Sequence, residues 1–387
     1  MASIRKIVRV TFKVLGAFLL LVLIAMIPFS LVISHDSACP ETPALAAGAT
    51  SMRAMVHRCY GEADVLKLEN IEKPAVGDDE VLVRVHASAV NPLDFHYLHG
   101  TPYILRLEAG IGAPTNPRAG VDYAGTVEAV GRNVTRFHPG DAVFGGRTGA
   151  FADYVTARED RAIAAKPDNV SFTEAASVPI AALTALQAVR DKGHVRAGQK
   201  VLINGSSGGV GTFAVQIAKS FGAEVTGVCS TKNLDLVRSI GADHVIDYTK
   251  EDFTKGDGRY DVIVDTVGTH GLFEYARVMQ PNGIYVMVGG QVGKWLSPFD
   301  MLAQVILVRP FVSQKITMML AEFNPRDMAV LADLLKTGKV KPVIDRTYKL
   351  EELPEAIRYL EKGHARGKVV IDVAGGSSSQ VRVSDHP

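Results

Sequence analysis

Between residues 54 and 156 the apolar positions fall in short runs: Ala54 to Val56, Val81 to Ala89, Gly125 to Val130, Asp141 to Phe144 and Phe151 to Thr156. Glycines and prolines separate them, a pattern that predicts strands and a β-rich first domain. After Pro179 the pattern changes. Short β-branched runs at Val201 to Asn204, Glu224 to Cys229, His244 to Asp247, Asp261 to Asp265 and Ile284 to Val288 alternate with helical stretches, which predicts a parallel, doubly wound sheet covered on both faces. Beyond about residue 310 a helix-rich return ends in the strand signal Gly367 to Val373. The chain therefore reads as α/β, with a β-rich domain over 53–178 completed by 311–374, a doubly wound domain over 179–310 and a polar tail over 375–387.

The N-terminus has a different pattern. Residues 1–13 are a basic flank, and from Val14 to Ile33 there are 20 consecutive uncharged residues, 14 of them Leu, Ile, Val or Phe. That length matches the hydrocarbon core of a bilayer, so residues 14–33 are expected to form a transmembrane anchor and 34–52 a linker, making a single-pass membrane protein. A cleaved signal peptide ending at Ala44-Leu45-Ala46-Ala47, a buried helix and a start at Met52 are the competing readings. Arg5, Lys6, Arg9 and Lys13 precede the run and no basic residue lies between Ser34 and Met52. The charge rule alone places the rest of the chain outside the cytoplasm, and the side stays open.

Lys and Arg number 42 against 41 Asp and Glu, which leaves no excess charge for a nucleic-acid backbone. Three scattered cysteines without a C-x-x-C pair argue against a disulfide framework or a zinc knuckle.

The strongest chemical signal is Gly205-Ser206-Ser207-Gly208-Gly209-Val210-Gly211, set between the strand Val201 to Asn204 and the helical stretch Thr212 to Phe221. A glycine-rich turn at that junction lets backbone N–H groups and the helix dipole approach a pyrophosphate. An acid at the end of the next strand would select NADH, but Ser230, Thr231 and Lys232 stand there. Lys232 attracts a 2′-phosphate and Ser230 can donate to it, so NADPH is the expected cofactor, with NADH the lesser alternative.

The chain resembles the zinc-free members of the medium-chain dehydrogenase/reductase superfamily, the quinone oxidoreductase-like and alcohol dehydrogenase-like proteins. The resemblance is carried by Tyr60-Gly61 to Leu68, Asn91-Pro92-Leu93-Asp94, Gly120 to Gly125 with Val130-Gly131, Gly140 to Gly145, Leu183-Thr184-Ala185, the glycine loop, Gly241 to Tyr248 and Arg366 to Val370. It covers about residues 53 to 373. It implies a GroES-like catalytic domain beside a Rossmann domain, with cofactor in the cleft and a homodimer formed through the edge strand of the Rossmann sheet, expected at Ile284 to Val288. It further implies that Thr184 lies near the nicotinamide ribose, that Ser230, Lys232 and Tyr248 surround the adenosine phosphate, and that Gly268, Val288 and Gly289 line the path to the nicotinamide. Zinc-containing relatives carry Cys where Asn91 stands and a His-Glu pair where Val121-Asp122 stands, so no zinc is expected. His96 and His99 alone offer no third ligand.

Without a Lewis acid, hydrogen bonds must polarise the acceptor. The expected reaction is then hydride transfer from NADPH to a quinone or an α,β-unsaturated carbonyl, a small and possibly lipophilic molecule. Asn91 would position the nicotinamide or the substrate carbonyl, Tyr97 would donate the hydrogen bond or proton unless solvent does, and Asp94 would organise the loop or merely cap a helix. Zinc-independent alcohol/ketone interconversion and a non-catalytic, membrane-anchored NADPH-binding module remain alternatives. The apolar stretch Trp295 to Met319 is read as a pocket wall, a bilayer contact or core.

Overall fold

The computed structural model describes residues 26–290, 293–295, 297 and 299–375. In chain order, the first domain contains β1 (Ser51–Val56), β2 (Lys67–Glu72), β3 (Glu80–Val90), α1 (Pro92–His99), β4 (Asp122–Val130), β5 (Ala142–Gly146), β6 (Tyr154–Arg158) and β7 (Ile163–Ala165). The second contains α2 (Pro179–Gln187), β8 (Lys200–Asn204), α3 (Gly209–Ser220), β9 (Glu224–Cys229), β10 (His244–Asp247), β11 (Tyr260–Asp265), β12 (Met279–Met287), α4 (Phe299–Val308), β13 (Lys315–Met318) and α5 (Pro325–Lys336). The chain then returns through β14 (Ile344–Lys349), α6 (Leu353–Glu361) and β15 (Lys368–Asp372) to the first domain.

The second domain is a six-stranded sheet in the order β10-β9-β8-β11-β12-β13, parallel throughout. Its central strands are apolar on both faces because both are covered. Val201, Ile203, Val262 and Val264 pack under α2, α3 and α5, while Leu202, Ile263, Tyr275 and Tyr285 form the core on the opposite face. The chain winds outward from β8 to β10 in one direction and from β11 to β13 in the other. The crevice for a ligand therefore opens at the carboxyl ends of β8 and β11. In the first domain the path β14-β15-β3-β4-β5-β7, with β6 on the side of β3, builds a seven-stranded sheet. The two domains share apolar packing: Ala87, Ala89, Ala124 and Phe144 of the first bury against the same residues of α2 that pack on β8.

The structure corrects four expectations. First, β13 pairs with β12 in parallel, so the Rossmann sheet runs beyond residue 310 and the open edge is β13 rather than Ile284 to Val288. Hydrogen bonding to a strand whose flanking sequence looked helical was not visible in periodicity. Second, Cys39 and Cys59 are joined in a disulfide, Cα 4.9 Å apart, and only Cys229 is free among the described residues. Third, the stretch 34–52 is not a free linker. Arg106, 2% exposed, donates to the Ile33 and His35 carbonyls, pairs with Asp36 at 2.8 Å and stacks on Tyr60 and Tyr103. Fourth, the anchor is not supported. Residues 1–25 lie outside those described, as do 376–387 of the tail. Residues 26–34 are helical but stop where Ile33 is buried and Asp36 bridges Gly112. No described helix is long and apolar enough to cross a membrane. The expected single-pass membrane localisation is overturned.

The apolar stretch after Trp295 is packed on one side only: Met301, Val305, Val308, Ile316 and Met318 lie against the core of Ile263, Tyr275 and Tyr285. No residue of α4 is buried, and Leu302, Ile306, Leu307, Phe311 and Leu320 are exposed.

Candidate active site

The glycine loop follows β8 as the sequence predicts, and α3 begins at Gly209 with Gly208 as its N-cap. Gly205 adopts φ +82° and Gly211 lies where a Cβ would meet the Gly205 carbonyl oxygen at 2.0 Å, so glycine is required for the turn and for helix-to-strand packing. At Gly208 a Cβ would find only one atom, 3.4 Å away, leaving the cradle open toward a ligand. Ser206 is not part of that cradle: it is fully buried and its hydroxyl donates to the Val228 carbonyl at 2.9 Å. Ser207 accepts from Asn233 Nδ2 at 3.0 Å, and the same amide reaches Ser230 at 3.3 Å. Asn233 is buried, and its Oδ1 has no donor among the described residues. A ribose hydroxyl is the kind of group that satisfies such an atom. The residues fit a dinucleotide.

At the carboxyl end of β9 the backbone N–H of Tyr248 donates to the Cys229 carbonyl, so Ser230, the exposed Lys232 and the exposed Tyr248 occupy one edge. Thr184 on α2 is partly exposed, its hydroxyl donating to the Ile180 carbonyl. Gly268 and Val288-Gly289 adjoin one another. Asp265 shapes this stretch, accepting from the N–H groups of Val267 and Gly268, and Gly268 at φ +69° approaches Gly290 so closely that a Cβ would lie 2.7 Å from its Cα.

Asn91, Asp94, Asp122 and Lys368 form a buried polar cluster where the domains meet. Asn91 Nδ2 donates to Asp122 at 3.0 Å and to the Ala89 carbonyl, while its Oδ1 accepts from Lys368 Nζ. Both ends of the amide are thus committed, and Asn91 orients neighbours rather than presenting a free group to a ligand. Lys368 is 3.6 Å from Asp122, whose other oxygen accepts the Ile180 N–H at the start of α2. Asp94 caps α1 by accepting the Asn91 N–H at 2.7 Å. Burial pushes the Asp94 carboxyl up to about 7 despite that hydrogen bond, with Asp122 adding to the rise. Gly367, the neighbour of Lys368, donates to the Ser207 carbonyl, tying this cluster to the glycine loop.

Beside the cluster lies a cavity of about 590 Å³, lined by Asp94, Tyr97, Val121, Phe323 and others. The hydroxyl of Tyr97 has no partner among the described residues. Burial, then the nearby Glu108, raise its pKa, which keeps it protonated at neutral pH. Gly146 admits Phe323 to the wall, since a Cβ there would stand 2.1 Å from the ring. His96 Nδ1 is engaged by the Thr101 carbonyl, whereas His99 pairs with Glu361 and comes within reach of Glu62, outside this cavity.

Two family descriptions match the chain: an alcohol dehydrogenase GroES-like domain over residues 77–168 and a zinc-binding dehydrogenase over 240–371. A 2-methylene-furan-3-one reductase of Solanum lycopersicum is 35% identical over 89% of this chain and 85% of its own. The chain belongs to the medium-chain dehydrogenase/reductase superfamily, among its quinone oxidoreductase-like members. It is a nicotinamide-dependent oxidoreductase. An NADPH-dependent alkenal/one oxidoreductase of Arabidopsis thaliana, named as chloroplastic, is 35% identical over 83% of this chain and 79% of its own. Among solved structures, the quinone oxidoreductase from Coxiella burnetii superposes with a TM-score of 0.74 at 29% identity, covering 84% of this chain and all of that one. Sequence reasoning missed Asn233, Asp265 and Lys368 as site builders; only Lys368, beside a glycine at a strand start, carried a signal.

Proposed function

We propose that this reductase uses NADPH to saturate the carbon–carbon double bond of α,β-unsaturated carbonyl compounds, or to reduce quinones, without zinc. The observation that carries the reading is the cavity itself: a protonated Tyr97 hydroxyl, without a partner among the described residues, lines it together with apolar Leu93, Phe151 and Phe323 and with Asp94 of the buried polar cluster. The bound cofactor supplies the hydride. Tyr97 donates a hydrogen bond to the acceptor oxygen, where negative charge develops, and holds a proton for it. Lys368, Asp122 and Asn91 fix the start of α1 and hence the position of Tyr97. The residues at the zinc-ligand positions of zinc-containing relatives are an amide committed to neighbours, a valine and a carboxylate paired with Lys368, and that set does not fit catalytic zinc.

Lys232, Ser230 and Tyr248 support NADPH over NADH, since a 2′-phosphate would meet a cation and no carboxylate of the strand end. The Asp247 carboxylate is engaged by Thr231 and Thr249. Steady-state oxidation of NADPH and NADH in parallel, with a small enone and a small quinone as acceptors, tests the reading. Acceptor-dependent turnover with a lower KM for NADPH is expected, and saturable cofactor binding without turnover on either acceptor would refute it.

A further inference from the structure

The cavity also carries a group of cations that the reaction above does not use. Arg118 and Arg147 both line it, and the segments that carry them are held together by backbone hydrogen bonds, from Arg147 to Val121 at 2.8 Å and from Gly149 to Gly120 at 2.9 Å. Arg118 is half-buried, its stem lying against Gly149, where a Cβ would meet Arg118 Cβ and Nε at 3.3 Å. Neither guanidinium has a carboxylate within 4.0 Å among the described residues, whereas Arg158 of the same cavity pairs with Asp79 and Asp160. The two charges oppose each other: burial, then Arg147, pull the Arg118 pKa down. Two guanidiniums held side by side at a cavity, one of them partly desolvated, are short of an anion. The remaining acids on the wall do not supply it, for Asp94 is committed to α1 and Glu108 lies by Tyr97.

We propose that Arg118 and Arg147 bind an anionic oxygen group, carboxylate or phosphate, on the substrate, so that the preferred acceptor is a negatively charged conjugated carbonyl rather than a neutral one. This rests on the enone-reductase reading and names its substrate class. The planar forks of two arginines suit the paired oxygens of such a group. Holding it on these arginines leaves the conjugated carbonyl free to reach Tyr97 in the same cavity. The anion has two sources, a carboxylate on the acceptor itself or the phosphates of a carrier thioester.

The test compares matched pairs on the full chain: 4-oxopent-2-enoate against its methyl ester, and crotonyl-coenzyme A against the crotonyl thioester of N-acetylcysteamine. The anionic member of one pair is expected to show kcat/KM at least about tenfold higher, carried by KM. Arg147→Gln, a change at an exposed residue, should lower that anionic-to-neutral ratio about tenfold, and Arg118→Gln should do the same. The first pair responding identifies a carboxylate acceptor, and the second a carrier thioester. Equal kcat/KM within both pairs, or ratios untouched by both substitutions, overturns the proposal. Calorimetry with 4-oxopentanoate and with free coenzyme A, neither of which has a carbon–carbon double bond conjugated to a carbonyl to reduce, separates the two levels of the argument. Binding that weakens in Arg147→Gln supports the anion site even if no enone turns over, and turnover without such binding leaves the reductase standing and removes the site.

Discussion

At the scale of single residues, burial decides which groups do chemistry and which only hold it in place. Tyr97→Phe removes the one unpartnered donor assigned to the acceptor oxygen; kcat is expected to drop about a hundredfold with KM little changed. A loss under about fivefold in stopped-flow hydride transfer would hand the proton to solvent. Lys232→Ala should raise KM for NADPH about tenfold and leave KM for NADH alone. Asp94 gives a stability prediction. Its folded carboxyl titrates near 7, above the ordinary 3.8, so between those values the folded state holds a proton that the unfolded chain has released. Stability from this group is present at the acid end and is lost as pH rises through 7. Thermal melts from pH 5 to 8 should show that decline in the parent and a flatter profile in Asp94→Asn; superimposable slopes would contradict the assignment. The glycine loop was legible because its residue types are restricted by geometry. Asn91 was legible as important but not in its role, because only the fold shows both ends of its amide bound to Asp122 and Lys368.

At the scale of elements, two attachments hold the site's walls. Lys368 at the start of β15 is the one cation among two buried carboxylates. Lys368→Met therefore strands the Asp122 carboxylate, with an expected loss of about 3–5 kcal/mol in denaturant unfolding; a loss below about 1 kcal/mol would show that this carboxyl is already neutral. The second attachment is the segment around residues 33–39, clamped by Arg106 and closed by the Cys39–Cys59 disulfide over 20 residues. A fragment starting at Met52 should be less stable than one starting at Met26, by about 2–4 kcal/mol for the disulfide alone, and equal unfolding midpoints would count against the clamp. Periodicity identified most strands of both sheets, since alternating and continuous apolar runs record one- and two-sided burial. It did not find the short β7 or β14, nor β13, which has four residues and owes its place to pairing with β12. It also mistook a clamped segment for a linker, because small uncharged residues look alike in both.

At the scale of the molecule, the open edge of β13 lies beside exposed Phe311 and Leu320. We propose a homodimer across that edge, where a second copy would extend the sheet and cover apolar surface. Light scattering after size exclusion should give twice the 41.5 kDa chain mass, reverting to one in Leu320→Glu; a monomeric parent at micromolar concentration excludes it.

In the proposed reading, the two domains place the cofactor where strand order reverses beside β8 and the acceptor in the 590 Å³ cavity. The most direct test is the product formed from a small enone with NADPH, identified by NMR. A saturated ketone, with the double bond reduced and the carbonyl intact, is the predicted result. An allylic alcohol would contradict the account and return the chain to alcohol/ketone interconversion.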